Sequence, residues 1–473
     1  MSFMLIFASE PQKTHVMKHF YLSILAALTI TSCATQELKS PSADLTNLAP
    51  AIEATRVSKQ EMLDLFLKYI AVESGSQEAP EGEYAMTQGQ MEMARMLAAD
   101  AKACGAEVYM SEWGYVYVDI PSNIGVDVPV LGISAHLDYT PEAPGIGIKP
   151  TVITYDGGDI QLANGDVISP DSAEGVDLTG LTGKTIIHSS GETLLGGDDK
   201  CGLSITMSLL RTITQENVMH GRIQIVWAPN EDIGGAAWKI DSEYFHPDIL
   251  FDVDGGGGNE VAAANFSARK VRVRFFGQDA HPSEAKARHY GDALAAAATY
   301  LSSTPLKFRP EHSEGLEGYL HPFLLEQVED SLGNKLPDYV VESRLRFFEA
   351  SQEKAFDKHI EKALAKVKKE FPYVGVEIIV DETQYDNVAK TMHPSSYRVI
   401  QRAAARCNQN LHFVAERAGT TASMFAAEGL VGGMCIYSGQ HLMHSRHEYA
   451  CLEEMMDAYE LLLHIVDEVA RLN

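Results

Sequence analysis

Apolar positions recur at helical spacing over residues 59–70 and 86–103, and each stretch is followed by shorter runs dense in β-branched and aromatic residues. Apolar runs at 128–134, 223–228 and 249–253 are bounded by polar or turn residues, the pattern of buried strands in an α/β sheet. Each run ends beside an acidic residue or a histidine. Ligands of open α/β sheets collect at the carboxyl ends of strands, so His136, Glu231, Asp232 and Asp254 can converge despite their separation in sequence.

The order of elements changes near residue 268. A strand over 271–276, a helix over 292–302, strands over 323–328 and 339–347, a helix over 353–369 and a strand over 374–380 give a βαββαβ unit. That order predicts a small α+β, ferredoxin-like layer with both helices on one sheet face, inserted as residues 268–381 into a larger α/β domain made of 55–267 and 382–473. Two domains also suit a length of 473 residues, which exceeds what one core usually supports.

The start of the chain reads as an address. After Met17 come a basic Lys18, an apolar stretch over 20–30 and the small-residue box Ile30-Thr31-Ser32-Cys33, which resembles a bacterial lipoprotein signal with Cys33 as the lipidated residue. The stretch falls short of the about 20 apolar residues that a membrane-spanning helix needs. On this reading residues 1–33 are a signal segment, and 34–54, rich in Ser, Thr and Pro, form a flexible tether without packed structure. The expected location is then the bacterial cell envelope, on its periplasmic or outer-membrane face, with membrane contact only through the lipid. The alternative is an apolar helix with a buried cysteine.

A formal net charge of −27 argues against nucleic acid and anionic membrane surfaces as partners. It also leaves enough carboxylates for some to be gathered by a multivalent metal. Cys104, Cys201, Cys407, Cys435 and Cys451 contain no CxxC pair, so neither a disulfide framework nor a thiolate metal site is indicated.

Five short segments carry candidate chemistry. In His136-Leu137-Asp138 the strand alternation puts histidine and aspartate on one side, where the carboxylate can set the imidazole tautomer. Taken alone, the pair suits a structural or surface role better than a ligand role. Asp198-Asp199 follows Gly196-Gly197 and precedes a helical run over 203–210, as helix caps or as a carboxylate shared by two cations. Glu231-Asp232 follows a strand, where the two acids can divide the labour of base and ligand or cap a helix. Asp254 leads into the glycines 255–258, and the lack of a following Lys-Ser/Thr pair removes a phosphate loop. Late in the chain His441, His444 and His447 precede Glu448-Tyr449. A histidine there can close a site begun by His136, with a surface role expected for His441.

In combination, HLD, GGDDKCG, APNEDIG, DVDGGG and SRHEY resemble the cocatalytic two-zinc exopeptidases and deacylases, most closely the peptidase T group, from residue 57 to the C-terminus. Tyr155 to Ile160, Ala280-His281-Pro282 and the run from Glu314 to Gly318 point the same way. The resemblance implies two Zn2+ per subunit. Asp198 bridges them, His136 and Asp254 complete one site, and Asp232 and His447 complete the other. Asp138 orients His136, and Glu231 is the general base. It further implies that the inserted unit is a lid that dimerises, with His281 supplying an oxyanion contact to the partner subunit and Arg346 and Arg417 binding substrate. The expected reaction is release of the N-terminal residue from short peptides, tripeptides by the same likeness.

Two alternatives remain at this point: a two-zinc carboxypeptidase or N-acyl amino acid deacylase, and a non-catalytic peptide-binding lipoprotein. The chain departs from the peptidase T pattern in three places. Asn230-Glu231-Asp232 stands for Asp-Glu-Glu, Arg417-Ala418-Gly419-Thr420-Thr421-Ala422 stands for Arg-Gly-Gly-Thr-Asp-Gly, and the lipoprotein signal is foreign to a typically cytoplasmic group.

Overall fold

The computed structural model of the chain describes residues 36–78, 84–170 and 176–472. Its centre is a nine-stranded mixed sheet. In spatial order the strands are Gln36–Glu37, His412–Glu416, Glu260–Asn265, Gly433–Tyr437, Ile249–Gly255, Leu131–His136, Ile223–Ala228, Val116–Ile120 and Glu107–Met110. The middle of the sheet, from Gly433–Tyr437 to Ile223–Ala228, is parallel. Leu131–His136 and Ile223–Ala228 are buried at every position, which is why they read as continuous apolar runs.

Helices cover both faces. Lys59–Ile70, Gln88–Ala103, Gly197–Gln215 and Leu452–Val469 share the main core with the sheet through residues such as Phe66, Leu97, Leu203 and Leu462. The short helix Thr421–Ala427 packs on the other face, where Phe425 meets Phe245 and Leu250. Helix starts follow local chemistry: Ser58 and Glu61 form a reciprocal capping box, and Thr87 caps Gln88–Ala103.

A four-stranded antiparallel sheet holds Tyr319–Glu329, Lys335–Phe347, Ser267–Phe276 and Gly375–Tyr385 in that order. Helices Ala293–Ser302 and Ala350–Glu370 bury Ala296, Tyr300, Phe356 and Ile360 against its inward residues Val271, Val273, Val341 and Leu345. A third small sheet pairs Gln440–His441, Tyr449–Cys451, Thr185–His188 and Thr151–Thr154. It anchors both ends of the loop that carries His444.

The expectation that residues 34–54 form an unpacked tether is corrected from residue 36 onward. Gln36–Glu37 adds an edge strand beside His412–Glu416. Arg402 donates to the carbonyls of Asp44, Thr46 and Asn47, and Arg406 donates to that of Pro50. A segment too polar to make its own core is thus ordered by guanidinium groups on a remote helix, Ser396–Arg406.

Candidate active site

The parallel strands deliver their terminal residues to one place. His136 ends Leu131–His136, Glu231 and Asp232 follow Ile223–Ala228 after a left-handed Asn230, and Asp254 lies near the end of Ile249–Gly255. The left-handed turn is held by a reciprocal pair of hydrogen bonds between Asn230 and Gln90 and by Asn230 Nδ2 donating to Ala85 O at 2.8 Å. An aspartate could not make that last bond, which accounts for Asn230 where the peptidase T pattern has an acid.

Asp198 sits at the centre. Its Oδ1 is 2.8 Å from His136 Nε2, which is in turn 3.4 Å from Asp254 Oδ1. Its Oδ2 is 3.2 Å from His444 Nε2, which is 2.8 Å from Asp232 Oδ1. Two groups of potential ligands, His136/Asp198/Asp254 and Asp198/Asp232/His444, therefore share one carboxylate.

This arrangement corrects the expectation for His447. That residue lies outside both groups, with its Nε2 4.0 Å from Asp166 Oδ2. His444 takes the place because the backbone between the paired strands Gln440–His441 and Tyr449–Cys451 passes through left-handed conformations at Leu442 and His444, turning that imidazole inward. Three histidines spaced by three residues in a loop carry no periodic signal that could have chosen between them. His441, expected at the surface, is instead stacked on Tyr449 and bonded to Glu454 at 2.7 Å.

Supporting residues fix the cluster. Asp138 Oδ1 is 3.3 Å from His136 Nδ1, and its two oxygens accept from the backbone of Glu231 at 3.1 Å and Asp232 at 3.2 Å. One carboxylate thus orients the histidine and positions the acidic pair. Glu448 was not singled out by its spacing, yet its carboxylate accepts from the backbone of Leu195, Gly196 and Asp198 at 2.7, 2.8 and 3.0 Å, clamping the loop that presents Asp198. Asp199, the other half of the acidic pair, is structural: it accepts from His136 N and Gly202 N. Gly202 is required there, since a Cβ would stand 1.9 Å from Val253 O. Lys200 is fully buried and donates to the carbonyls of Leu137 and Asp138.

Electrostatics test whether these residues suit cations. Burial pushes Glu231 and Asp254 well above the usual carboxylate range and Asp232 up to about 6, with neighbouring acids adding to the effect. Burial also opposes the charge on Asp198, but hydrogen bonds from His136 and His444 outweigh it and hold this carboxyl well below its ordinary value. Burial opposes a charge on His444 too, yet its bonds to Asp198 and Asp232 raise it to about 12. Protons on two imidazoles therefore stand where cations would serve better. Asp232 Oδ2, buried without a hydrogen-bond partner, is a further vacant donor. Carboxylate oxygens with imidazole nitrogens are a fitting donor set for a pair of divalent metals.

The cluster opens into a cavity of about 670 Å³ lined by Asp198, Glu231, Asp232 and Asp254 and walled by Tyr385, Glu416, Arg417, Met424, Leu442 and Met443. Of the residues expected to bind substrate, Arg417 reaches this wall. Its guanidinium donates to Gly315 O, Glu317 O and Ser313 O and Oγ, tying the four-stranded layer to the central sheet. Arg346 lies behind the wall, 5.3 Å from the centre of the Tyr385 ring. His281 is exposed, with Nδ1 2.7 Å from Ser283 Oγ, and does not line the cavity. Thr421 is buried with its hydroxyl unpartnered, and nothing in the structure explains the loss of the acid there.

Fold and site together define a hydrolase class in which one carboxylate is shared between two metal-ligand groups at the mouth of an α/β sheet. The chain belongs to peptidase family M20/M25/M40, which its residues 196–468 match. Peptidase T of Escherichia coli O9:H4 (strain HS) is 30% identical over 418 residues, covering 87% of this chain and 99% of that protein. Among solved structures, aminopeptidase PepT from Bacillus cereus has a TM-score of 0.66 at 20% identity, over 88% of this chain and 99% of that one. A tripeptidase from Staphylococcus aureus has a TM-score of 0.65 at 20% identity, over 88% and 100%. A dinuclear metal binding peptidase of the M20 family from Bacillus subtilis has a TM-score of 0.57 at 12% identity, over 88% and 99%. These structures share the fold: a mixed sheet flanked by helices with the inserted layer.

The comparisons overturn the expected lipid-anchored location in the cell envelope. The finding against it is that the chain matches peptidase T enzymes over 99% of their own length. No helix among the described residues is long and apolar enough to cross a membrane. Cys33, the expected point of lipidation, lies outside the described residues.

Proposed function

We propose that this protein is a two-zinc aminopeptidase that releases the N-terminal residue of short peptides, tripeptides foremost. The observation that carries the reading is the division of Asp198, with Oδ1 toward His136 and Asp254 and Oδ2 toward His444 and Asp232. His136, Asp254 and Asp198 would hold one zinc, and Asp232, His444 and Asp198 the other. When bound, the pair supplies Lewis acidity toward the scissile carbonyl and the attacking water.

The remaining work falls to the chain's own groups. Glu231, whose carboxyl is raised by burial, accepts the proton of the attacking water and returns it to the leaving amine. Asp138 holds the His136 ring and the backbone of Glu231 in register for this transfer. Tyr385, Leu442 and Met443 restrict water at the cavity wall. In the same reading Arg346 acts on the peptide through Tyr385, Arg417 fixes the lid, and the exposed His281 reaches the cavity of a second copy in a dimer formed through the lid. The aminopeptidase and tripeptidase among the relatives support the choice of substrate.

The test is hydrolysis of a free tripeptide and its N-acetylated twin by the purified, zinc-loaded protein. Cleavage of the free peptide alone is expected. Cleavage of the acetylated peptide alone would replace the aminopeptidase reading with a deacylase, and turnover of neither would favour a binding protein.

A further inference from the structure

An aminopeptidase must place a charged α-ammonium beside its metals, and the cavity wall contains one carboxylate that neither the metal-ligand groups nor the general base employs. Glu416 ends the strand His412–Glu416 and lines the same cavity as Asp198, Glu231 and Asp254. No hydrogen bond or ion pair among the described residues reaches its carboxylate. The groups that act on it electrostatically are all acids: Glu260, Asp252 and Asp198. The neighbouring Arg417 lines the cavity as well, but its guanidinium is spent on the carbonyls of Ser313, Gly315 and Glu317. The strand end is fixed by Phe266 N donating to Glu416 O, which leaves only the side chain to adjust.

We propose that Glu416 accepts the α-ammonium of the substrate and so sets the requirement for a free N-terminus. The proposal rests on the aminopeptidase reading and deepens it. A carboxylate in a partly buried wall without a counter-charge gains more from a cation than an already paired one does, and an ammonium also carries the three donors needed to engage it. A carboxypeptidase or deacylase would have no use for this acid, since its substrates present an uncharged nitrogen at that point. Glu416 is thereby a specificity residue that touches substrate.

The experiment compares wild type with Glu416→Gln and Glu416→Leu on a free tripeptide whose N-terminal residue is alanine, and measures inhibition by its des-amino analogue, which lacks the ammonium. Zinc content is determined on each protein. The wild-type enzyme should turn over the free peptide and bind the analogue weakly. Glu416→Gln should raise KM about 10- to 100-fold with a smaller change in kcat and unaltered zinc, while its affinity for the des-amino analogue holds or improves. Glu416→Leu should bind the analogue better still, a gain that a misfolded variant cannot show.

An unchanged KM in Glu416→Gln overturns the assignment and leaves the aminopeptidase reading intact. So does a loss seen on a companion tripeptide beginning with lysine but not on the alanine peptide, which would make Glu416 a receptor for basic side chains. If wild type cleaves only N-acetylated peptides, the aminopeptidase reading itself fails, whatever the variants do.

Discussion

Two clusters of buried acids in this chain have opposite relations to positive charge. Asp467 and Glu468, near the end of the last helix, are matched from within: Arg406 Nη1 lies 2.6 Å from Asp467 and 3.0 Å from Glu468, Arg402 Nε 2.8 Å from Glu468, and Arg471 Nε 2.9 Å from Asp467. Asp198, Glu231, Asp232 and Asp254 have no lysine or arginine among their ion-pair partners in the described residues, only two histidines. The first cluster is complete and does structural work, ordering residues 44–50 through the spare donors of its arginines. The second is charged for something the chain does not itself contain. In this chain the cluster matched by guanidinium groups is a fastener, whereas the unmatched one around Asp198 is the candidate binding site.

The sharpest way to separate the clusters is to remove a single acid from the second. Glu231→Gln should lower kcat about 10²- to 10⁴-fold while zinc content stays unchanged, because it is assigned to proton transfer and not to ligation. Steady-state kinetics with metal analysis check this, and a wild-type rate would refute the assignment. In the first cluster, Arg406→Ala should cost about 3–5 kcal/mol of stability by leaving Asp467 and Glu468 buried without that partner. Denaturant unfolding would show the loss. Residues 44–50 should become more open to protease, and the folded fraction should keep its zinc and its kcat.

His444 and His447 provide a narrower contrast. His444→Ala should reduce zinc from two ions per chain toward one and lower activity at least about 100-fold, more than loss of an outer-shell partner usually costs. His447→Ala should leave both ions in place. The reverse pattern would return the ligand to the residue first expected.

The smallest effect concerns pH. Burial, with Glu260, Asp252 and Asp198 nearby, raises Glu416 from 4.5 to about 7 in the folded chain. Between those values the native state holds a proton that the unfolded state has released. Its contribution is therefore complete below about 4.5 and lost as pH rises through about 7. The metal-free wild type should lose stability across that window, and Glu416→Gln should flatten the profile. Parallel profiles would show that the acid is not held up in this way.

Much of this was determined by the sequence alone, because it depends on neighbours in the chain. Continuous apolar runs marked the strands that end at His136 and Asp254, and the βαββαβ order marked the inserted layer, whose strands prove longer than the patterning implied at Tyr319–Glu329 and Gly375–Tyr385. The residues added to Gly375–Tyr385 are mostly exposed, and those added at the start of Tyr319–Glu329 bury only Leu320, so neither end has an apolar face to read. The paired acids at Asp198-Asp199 and Glu231-Asp232 were visible, and the resemblance gave the metal-facing role to Asp198, but spacing did not show that Asp199 would hold backbone. Glu448 looked like any acid beside a histidine until the fold brought three backbone amides from a loop some 250 residues away to its carboxylate. Only tertiary structure chose His444 over His447, strapped residues 36–54 to the body and put Glu416 in the cavity wall. Those outcomes turn on which distant groups share a buried volume, and local spacing cannot encode that when the segments are loops or strand ends without periodicity.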